Sequence, residues 1–316
     1  MFLKLVQNEW MKLFNRTSTY VMLGLLAAGV LTTAIFTYYQ QQDQQLPSQE
    51  QWQAELQSEN ETLAQQEAET NNYYIESDAI NQQAINNYRL EHNLSPYETE
   101  NVWTYMDSNT GLIQFIGMLV IIVAASIVAQ EFKQGTIKLL LVRSASRTQV
   151  LAAKFAVTLL FGLFLLVSLF AMSFAVRAIV FGFDGSTIHI TASNGEVIEW
   201  SRIIYLGVTY LAGSVTMLML AAFAFMISTV FRNDSIAIAI SVMLLFAGTM
   251  ATNILALLTD WAKFSLFANT NLEQYFRGGP MVEGMTLGFS VVVLVVYLVV
   301  FLVLAFGFFN KRDVSI

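Results

Sequence analysis

Cysteine is absent from the 316 residues, which rules out a disulfide framework and a thiolate metal site. Histidine occurs only as His92 and His189, both in polar stretches, so neither a His-based metal centre nor a histidine-dependent intramembrane protease is available. Proline occurs three times, leaving room for long uninterrupted helices. Charged residues make up only 12% of the chain against 55% hydrophobic residues, with a mean hydropathy of +0.54. That balance excludes an ordinary soluble domain and fits an integral membrane protein. The phosphate-binding pattern GxxxxGK[ST] is missing too, so the chain has no P-loop of its own for ATP.

What is there is apolar and long. A helix needs about 20 apolar residues to cross the hydrocarbon core. Six stretches qualify: Ser18 to Tyr39, Thr110 to Gln130, Phe155 to Val176, Ile203 to Val230, Ile236 to Leu258 and Thr286 to Phe309. The first has too long an apolar run, and no small-residue cleavage site, for a signal peptide, and is read as a retained span. Placing the N-terminus inside puts eleven of the 16 basic residues in cytoplasmic segments and 19 of the 23 acids outside. The positive-inside rule therefore predicts cytoplasmic N- and C-termini, and the missing cysteine with a Gln/Asn-rich outer segment suggests a bacterial plasma membrane. The expected fold is an all-α polytopic membrane protein with six transmembrane helices.

Between the spans the composition changes. Leu3, Val6, Trp10 and Leu13 fall on one face of a predicted helix over residues 1–16, and Lys4, Asn8, Lys12 and Arg16 on another, the pattern of a helix lying in the membrane interface. Glu9 and Lys12 are spaced to pair weakly. Residues 1–39 thus form an interfacial helix and the first span. Residues 40–109, rich in Gln, Asn and Glu, are expected as an extracytoplasmic helical insert, a hairpin or pair of extended helices with a helix start at Pro47-Ser48, Tyr73-Tyr74 near the connection and a stop near Pro96. Residues 110–316 hold the other five spans. Asn194-Gly195, flanked by alternating residues, predicts a small β-hairpin between the third and fourth spans. The outer segment 259–285 alternates aromatic and polar residues and is suited either to the outer interface or to dipping back between helices. In the fourth span Gly207, Gly213, Ser214 and Thr216 permit close helix approach.

No span carries a charge near its centre, which disfavours an ion-coupled carrier. Gln114 and Asn253 are the polar exceptions, candidates for helix packing or for lining a pathway. An intramembrane enzyme lacks any catalytic constellation, so no enzymatic activity is expected of this chain.

The segment Glu131 to Lys154 concentrates five basic residues between the second and third spans: Lys133, Lys138, Arg143, Arg147 and Lys154. Its Glu131, Gly135-Thr136, Lys138, Leu139 to Leu141, Ser146-Arg147 and Lys154 resemble the E…GT.K.LL…SR…K pattern of the permease subunit of type-2 ABC transporters, the ABC-2 family. Asn8-Glu9 with Lys12 and Arg16 is similar to that family's opening helix, and the six-span layout extends the likeness over nearly the whole chain. One departure is Ser144, where the family often has proline. The resemblance implies a coupling helix in 131–154 that docks on a separate ATPase subunit, where ATP and Mg are bound. It also implies a second permease copy or paralogue and an export direction. Thr136 is placed to cap such a helix. No cofactor is expected on this chain, and lipid rather than nucleic acid is its environment. Apolar span interiors suit an amphipathic or lipid-like cargo such as an antimicrobial peptide or drug. ABC-driven sodium extrusion, known among relatives of that family, and a non-transporting sensor that binds a ligand through its outer domain are the alternatives.

Overall fold

The computed structural model describes residues 1–43, 46–70, 72–97, 102–133, 146–181 and 188–311. In chain order it contains α1 (Phe2–Phe14), α2 (Thr17–Asp43), α3 (Gln49–Glu69), α4 (Tyr73–His92), α5 (Val102–Ser108), α6 (Leu112–Lys133), α7 (Arg147–Phe181), β1 (Ile188–Ser193), β2 (Glu196–Ser201), α8 (Arg202–Phe231), α9 (Asp234–Leu258), α10 (Leu266–Thr270) and α11 (Leu287–Lys311). Six helical stretches are long and apolar enough to cross a membrane. They begin at Thr17, Val102, Arg147, Arg202, Asp234 and Leu287 and cover the six runs read from the sequence but for Thr286, the second and third from eight residues earlier.

The central pair is α6 and α8, both buried on most sides. Small side chains let the two approach: Gly117 of α6 lies against Met217, and Ser228 of α8 donates to the Ala125 carbonyl. Gly213 is similarly confined by Ile113, whereas a Cβ on Gly207 would meet open space, so Gly207 makes no close approach. The peripheral helices bury one stripe only. In α2 it is Met22, Leu26, Val30 and Ala34, four residues apart, while Val21, Leu25, Ile35 and Phe36 stay exposed. A stripe buried on one side of a helix that is apolar all round is what a lipid-facing span requires.

The polar helices α3 and α4 form an antiparallel pair whose seam is largely amides. Asn60 donates to Asn87 at 2.8 Å. Asn86 donates to Glu59 and Asn60, both at 3.1 Å, and Gln49 and Gln53 converge on the Asn93 amide oxygen. Few apolar residues, chiefly Trp52, Leu56 and Ala79, are buried there. The Gln/Asn-rich composition is thus the interface of the pair. A capping box between Ser48 and Gln51 starts α3. The second helix stops at His92, where Asn93 takes a left-handed φ of 53°, three residues ahead of the expected stop at Pro96.

The hairpin forms about Asn194-Gly195, both at positive φ, with Ser193 opposite Glu196. This is the two-residue turn that the Asn-Gly pair favours. The hairpin is tied to α4 through Gly195 N, which donates to Asn81 at 2.9 Å, and Tyr88, which donates to Glu199 at 2.5 Å.

Candidate functional site

Four charged residues meet where α1, α6 and α7 converge. Lys154 Nζ lies 2.7 Å from Glu9 Oε2 and 2.7 Å from Glu131 Oε1. Lys12 Nζ lies 2.7 Å from Glu9 Oε1 and 3.1 Å from Glu131 Oε1. Two ammonium groups and two carboxylates alternate in a closed ring of zero net charge. Lys154 is 1% exposed, and Glu9 and Glu131 are each 6% exposed. Burying an ion costs several kcal/mol unless oppositely charged neighbours replace its water, and here each charge has two. Burial pushes the Glu9 carboxyl up, but the Lys154 and Lys12 ammonium groups outweigh it and hold the pKa below the usual carboxylate value. Burial likewise works against the Lys12 ammonium, yet Glu9 and Glu131 hold its pKa above the ordinary lysine value. The Glu9 and Lys12 pair, expected as a weak contact, is therefore half of a ring that is buried except at Lys12.

The ring depends on how α1 is seated. Trp10 and Phe14 pack on Phe164 with ring centroids 6.0 and 5.3 Å away, and Leu13 is buried. Much of the face expected to meet lipid instead meets α7, although Leu3 remains exposed. That docking turns Glu9 inward. Thr19 reinforces the bend into α2 by donating to the Leu13 carbonyl.

Glu131 closes α6 and Lys154 lies in the third turn of α7, so the ring joins the two helices that flank residues 134–145. Gly135, Thr136, Lys138 and Arg143 lie outside the described residues. Ser146 caps α7, accepting from Gln149 N at 3.2 Å while its own N–H donates to the Gln149 side chain. Arg147 is the first residue of that helix and is half-buried. The third span therefore begins eight residues earlier than its apolar run, and the basic stretch ends inside a helix. Arg16 is half-buried at the start of α2, outside the ring. On the same end of the bundle Lys133 pairs with Asp234, and the Arg232 guanidinium sits 4.5 Å above the Phe132 ring.

The two polar residues of the spans part company. Gln114 donates to the Leu245 carbonyl at 3.4 Å and lines a cavity of about 330 Å³ between α6, α8 and α9. Asn253 is exposed on α9, away from that cavity, so it neither packs helices within this chain nor lines the cavity. The cavity holds a group that sequence reasoning missed, Glu273, whose Oε1 would lie 3.2 Å from a Cβ on Gly213. Gly213 is about 16 Å along α8 from its first residue. The carboxylate is thus delivered beside a span by a loop.

The loop does this because 259–285 folds back on the bundle as short helical turns held from inside. Asn269, fully buried, donates to the Lys263 and Ser265 carbonyls at 2.7 Å and accepts from Ser290 of α11 at 2.7 Å. Phe267 fills the space left by Gly248 of α9. Irregular backbone against a bundle is tolerated only with such satisfaction. Burial pushes the Glu273 pKa up, partly offset by Arg277. Glu273 and Asn271 also line a second, polar cavity of about 420 Å³ between α4, β1 and residues 271–279.

A family model described as "Protein of unknown function (DUF2705)" matches residues 73–315. The chain is 43% identical over 316 residues to "Uncharacterized protein YhcI" of Bacillus subtilis (strain 168), with 99% of each chain covered. It is 28% identical over 219 residues to "Uncharacterized membrane protein YdbK" of the same organism, covering 69% of this chain and 85% of that one.

Proposed function

From the premise that this chain belongs to the DUF2705 family, whose description carries no activity, we propose that it is the membrane-spanning permease subunit of an ATP-driven exporter of the ABC-2 kind. The observation that carries the reading is the ring of Glu9, Lys12, Glu131 and Lys154, buried except at Lys12. It ties α1 to both helices flanking residues 134–145, the stretch that carries the family-like GT.K.LL pattern. A force applied there by a separate ATPase subunit, on which ATP and Mg are bound, passes through Glu131 and Lys154 into α1, α6 and α7 together. The ring makes the three helices one lever.

In this reading both termini are cytoplasmic and α3, α4 and the hairpin face outward. A second copy or a paralogue completes the permease. The 330 Å³ cavity, with Met217 and Leu245 beside Gln114, Thr216 and Glu273, supports an amphipathic cargo. The sensor alternative draws its support from the polar cavity beneath the hairpin.

Tagged chain purified from its native host in mild detergent is expected to bring down a nucleotide-binding protein whose ATPase rate rises on reconstitution with the chain. Lys138→Glu with Arg147→Glu lowers that stimulation while insertion is retained. Recovery of the chain alone, with no stimulation of any co-expressed ATPase, overturns the proposal.

A further inference from the structure

The 420 Å³ cavity is walled by three separate elements: one face of α4, strand β1 and the 3₁₀ segment 272–275 with the turn after it. Gly279 brings that turn against α4 so closely that a Cβ there would fall 2.0 Å from Ser77 Oγ, a clash no side chain survives unmoved. The cavity is therefore built by the fold.

Its wall carries both signs of charge. Asp78 and Arg89 stand on the α4 face, and Glu273 and Arg277 on the opposite side. Among the described residues Asp78, Glu273 and Arg277 make no ion pair within 4.0 Å, and the guanidinium of Arg277 donates to Tyr205 Oη at 3.3 Å. Asp78 and Arg277 are exposed and Glu273 is half-buried, so these three stand open to a ligand. Asn81 adds a donor with nothing to donate to. Gly195 N–H must meet an acceptor, which fixes the Asn81 oxygen toward the hairpin. Its Nδ2 is then directed elsewhere and has no partner, though the residue is only 3% exposed. A buried amide N–H without an acceptor costs free energy that a ligand oxygen would recover. His189 lines the same wall. Burial, with Arg202, Arg277 and Arg89 around it, lowers its pKa to about 4, so at neutral pH it adds no charge.

We propose that this cavity is a binding site for a short zwitterionic peptide, its ammonium group held by Asp78 and Glu273, its carboxylate by Arg89, and a backbone carbonyl by Asn81 Nδ2. Length favours a peptide over a free amino acid. Asp78 and Arg89 are eleven residues apart on α4, about 16 Å along the axis. Extended chain advances about 3.3–3.6 Å per residue, so three residues with both side chains reaching inward bridge the distance. The site stands independently of the transport reading, since it needs neither an ATPase nor a second subunit.

The test uses the full chain in lipid nanodiscs with trialanine as the probe. Trialanine is expected to raise the thermal midpoint and to titrate calorimetrically, while N-acetyl-trialanine amide at equal concentration does neither. Arg89→Gln and Asp78→Asn each weaken binding at least tenfold. Asn81→Asp keeps an acceptor for Gly195, and so the fold, but loses the donor and weakens binding by a similar factor. The proposal is overturned if trialanine fails to bind the unaltered chain, if the blocked peptide binds equally well, or if the three variants bind as the unaltered chain does.

Discussion

The two ends of the bundle handle charge in opposite ways. At the α1 end, four charges are closed on one another within 3.1 Å. At the hairpin end, Glu273, Arg277 and Asp78 line a cavity without pairing directly. A closed ring leaves nothing for a ligand and locks helices to each other; an open set holds its walls apart and leaves its charges to be satisfied from outside. The first arrangement suits the joint proposed above and the second the proposed binding site, although both set carboxylates against cationic side chains.

The sharpest way to break the contrast is to remove one member of the closed ring. Lys154→Ala leaves Glu9 and Glu131 facing each other with only Lys12 between them. The expected cost is about 3–5 kcal/mol, because an uncompensated buried carboxylate remains. Thermal unfolding in nanodiscs reads it. Arg277→Ala at the open end, where no ion pair is broken, costs well under that amount. Equal losses at the two ends would erase the distinction between joint and cavity.

A smaller effect is expected where the open end is propped. A Cβ at Gly248 would lie 2.3–2.5 Å from the Phe267 ring, so Gly248→Val pushes the folded-back segment off α9. Overpacking of this kind costs about 1–3 kcal/mol. Hydrogen exchange should rise across residues 259–285 and stay unchanged in α1. A uniform rise over both ends would mean that the segment is an integral part of the bundle core.

The spans were legible in the sequence because hydrocarbon demands long apolar helices and nothing else in the chain competes with that signal. The Asn194-Gly195 hairpin was legible because its φ values are local. The ring was legible only in pieces. Glu9, Lys12, Glu131 and Lys154 stood out as charged residues near spans, but Glu9 and Lys154 are 145 positions apart, and no local pattern reports their meeting. The one available signal was the pair of acids, Glu9 and Glu131, in segments otherwise basic. Glu273 was hidden more deeply, since a polar loop that folds back against a bundle has the same composition as one that stays in solvent. The amide seam of α3 and α4 was misleading for a related reason: Gln and Asn suggest solvated surface, and here they are the contact.

The smallest effect separates the ends by pH. With its pKa lowered to about 4, His189 binds fewer protons in the docked hairpin than when released, where the ordinary value is 6.5. Docking therefore loses stability as pH falls from about 6.5 toward 4, and is unaffected above that window. Discounted for its partly solvent-facing ring, the loss at pH 5 is of the order of 1 kcal/mol. The ring at the other end behaves differently. Glu9, lowered, keeps its contribution until pH falls through that lowered value, and Lys12, raised, keeps its own until pH rises past the ordinary lysine range. Hydrogen exchange at pH 7.5 and 5.0, corrected for intrinsic rates, should thus show deprotection of residues 188–201 with α1 unchanged. His189→Phe retains a ring to stack on Tyr205, 3.7 Å away in the native pair, and removes the titration, so its hairpin protection should be the same at both pH values. A His189→Phe hairpin that still loosened on acidification would move the sensitivity to the carboxylates of the open cavity.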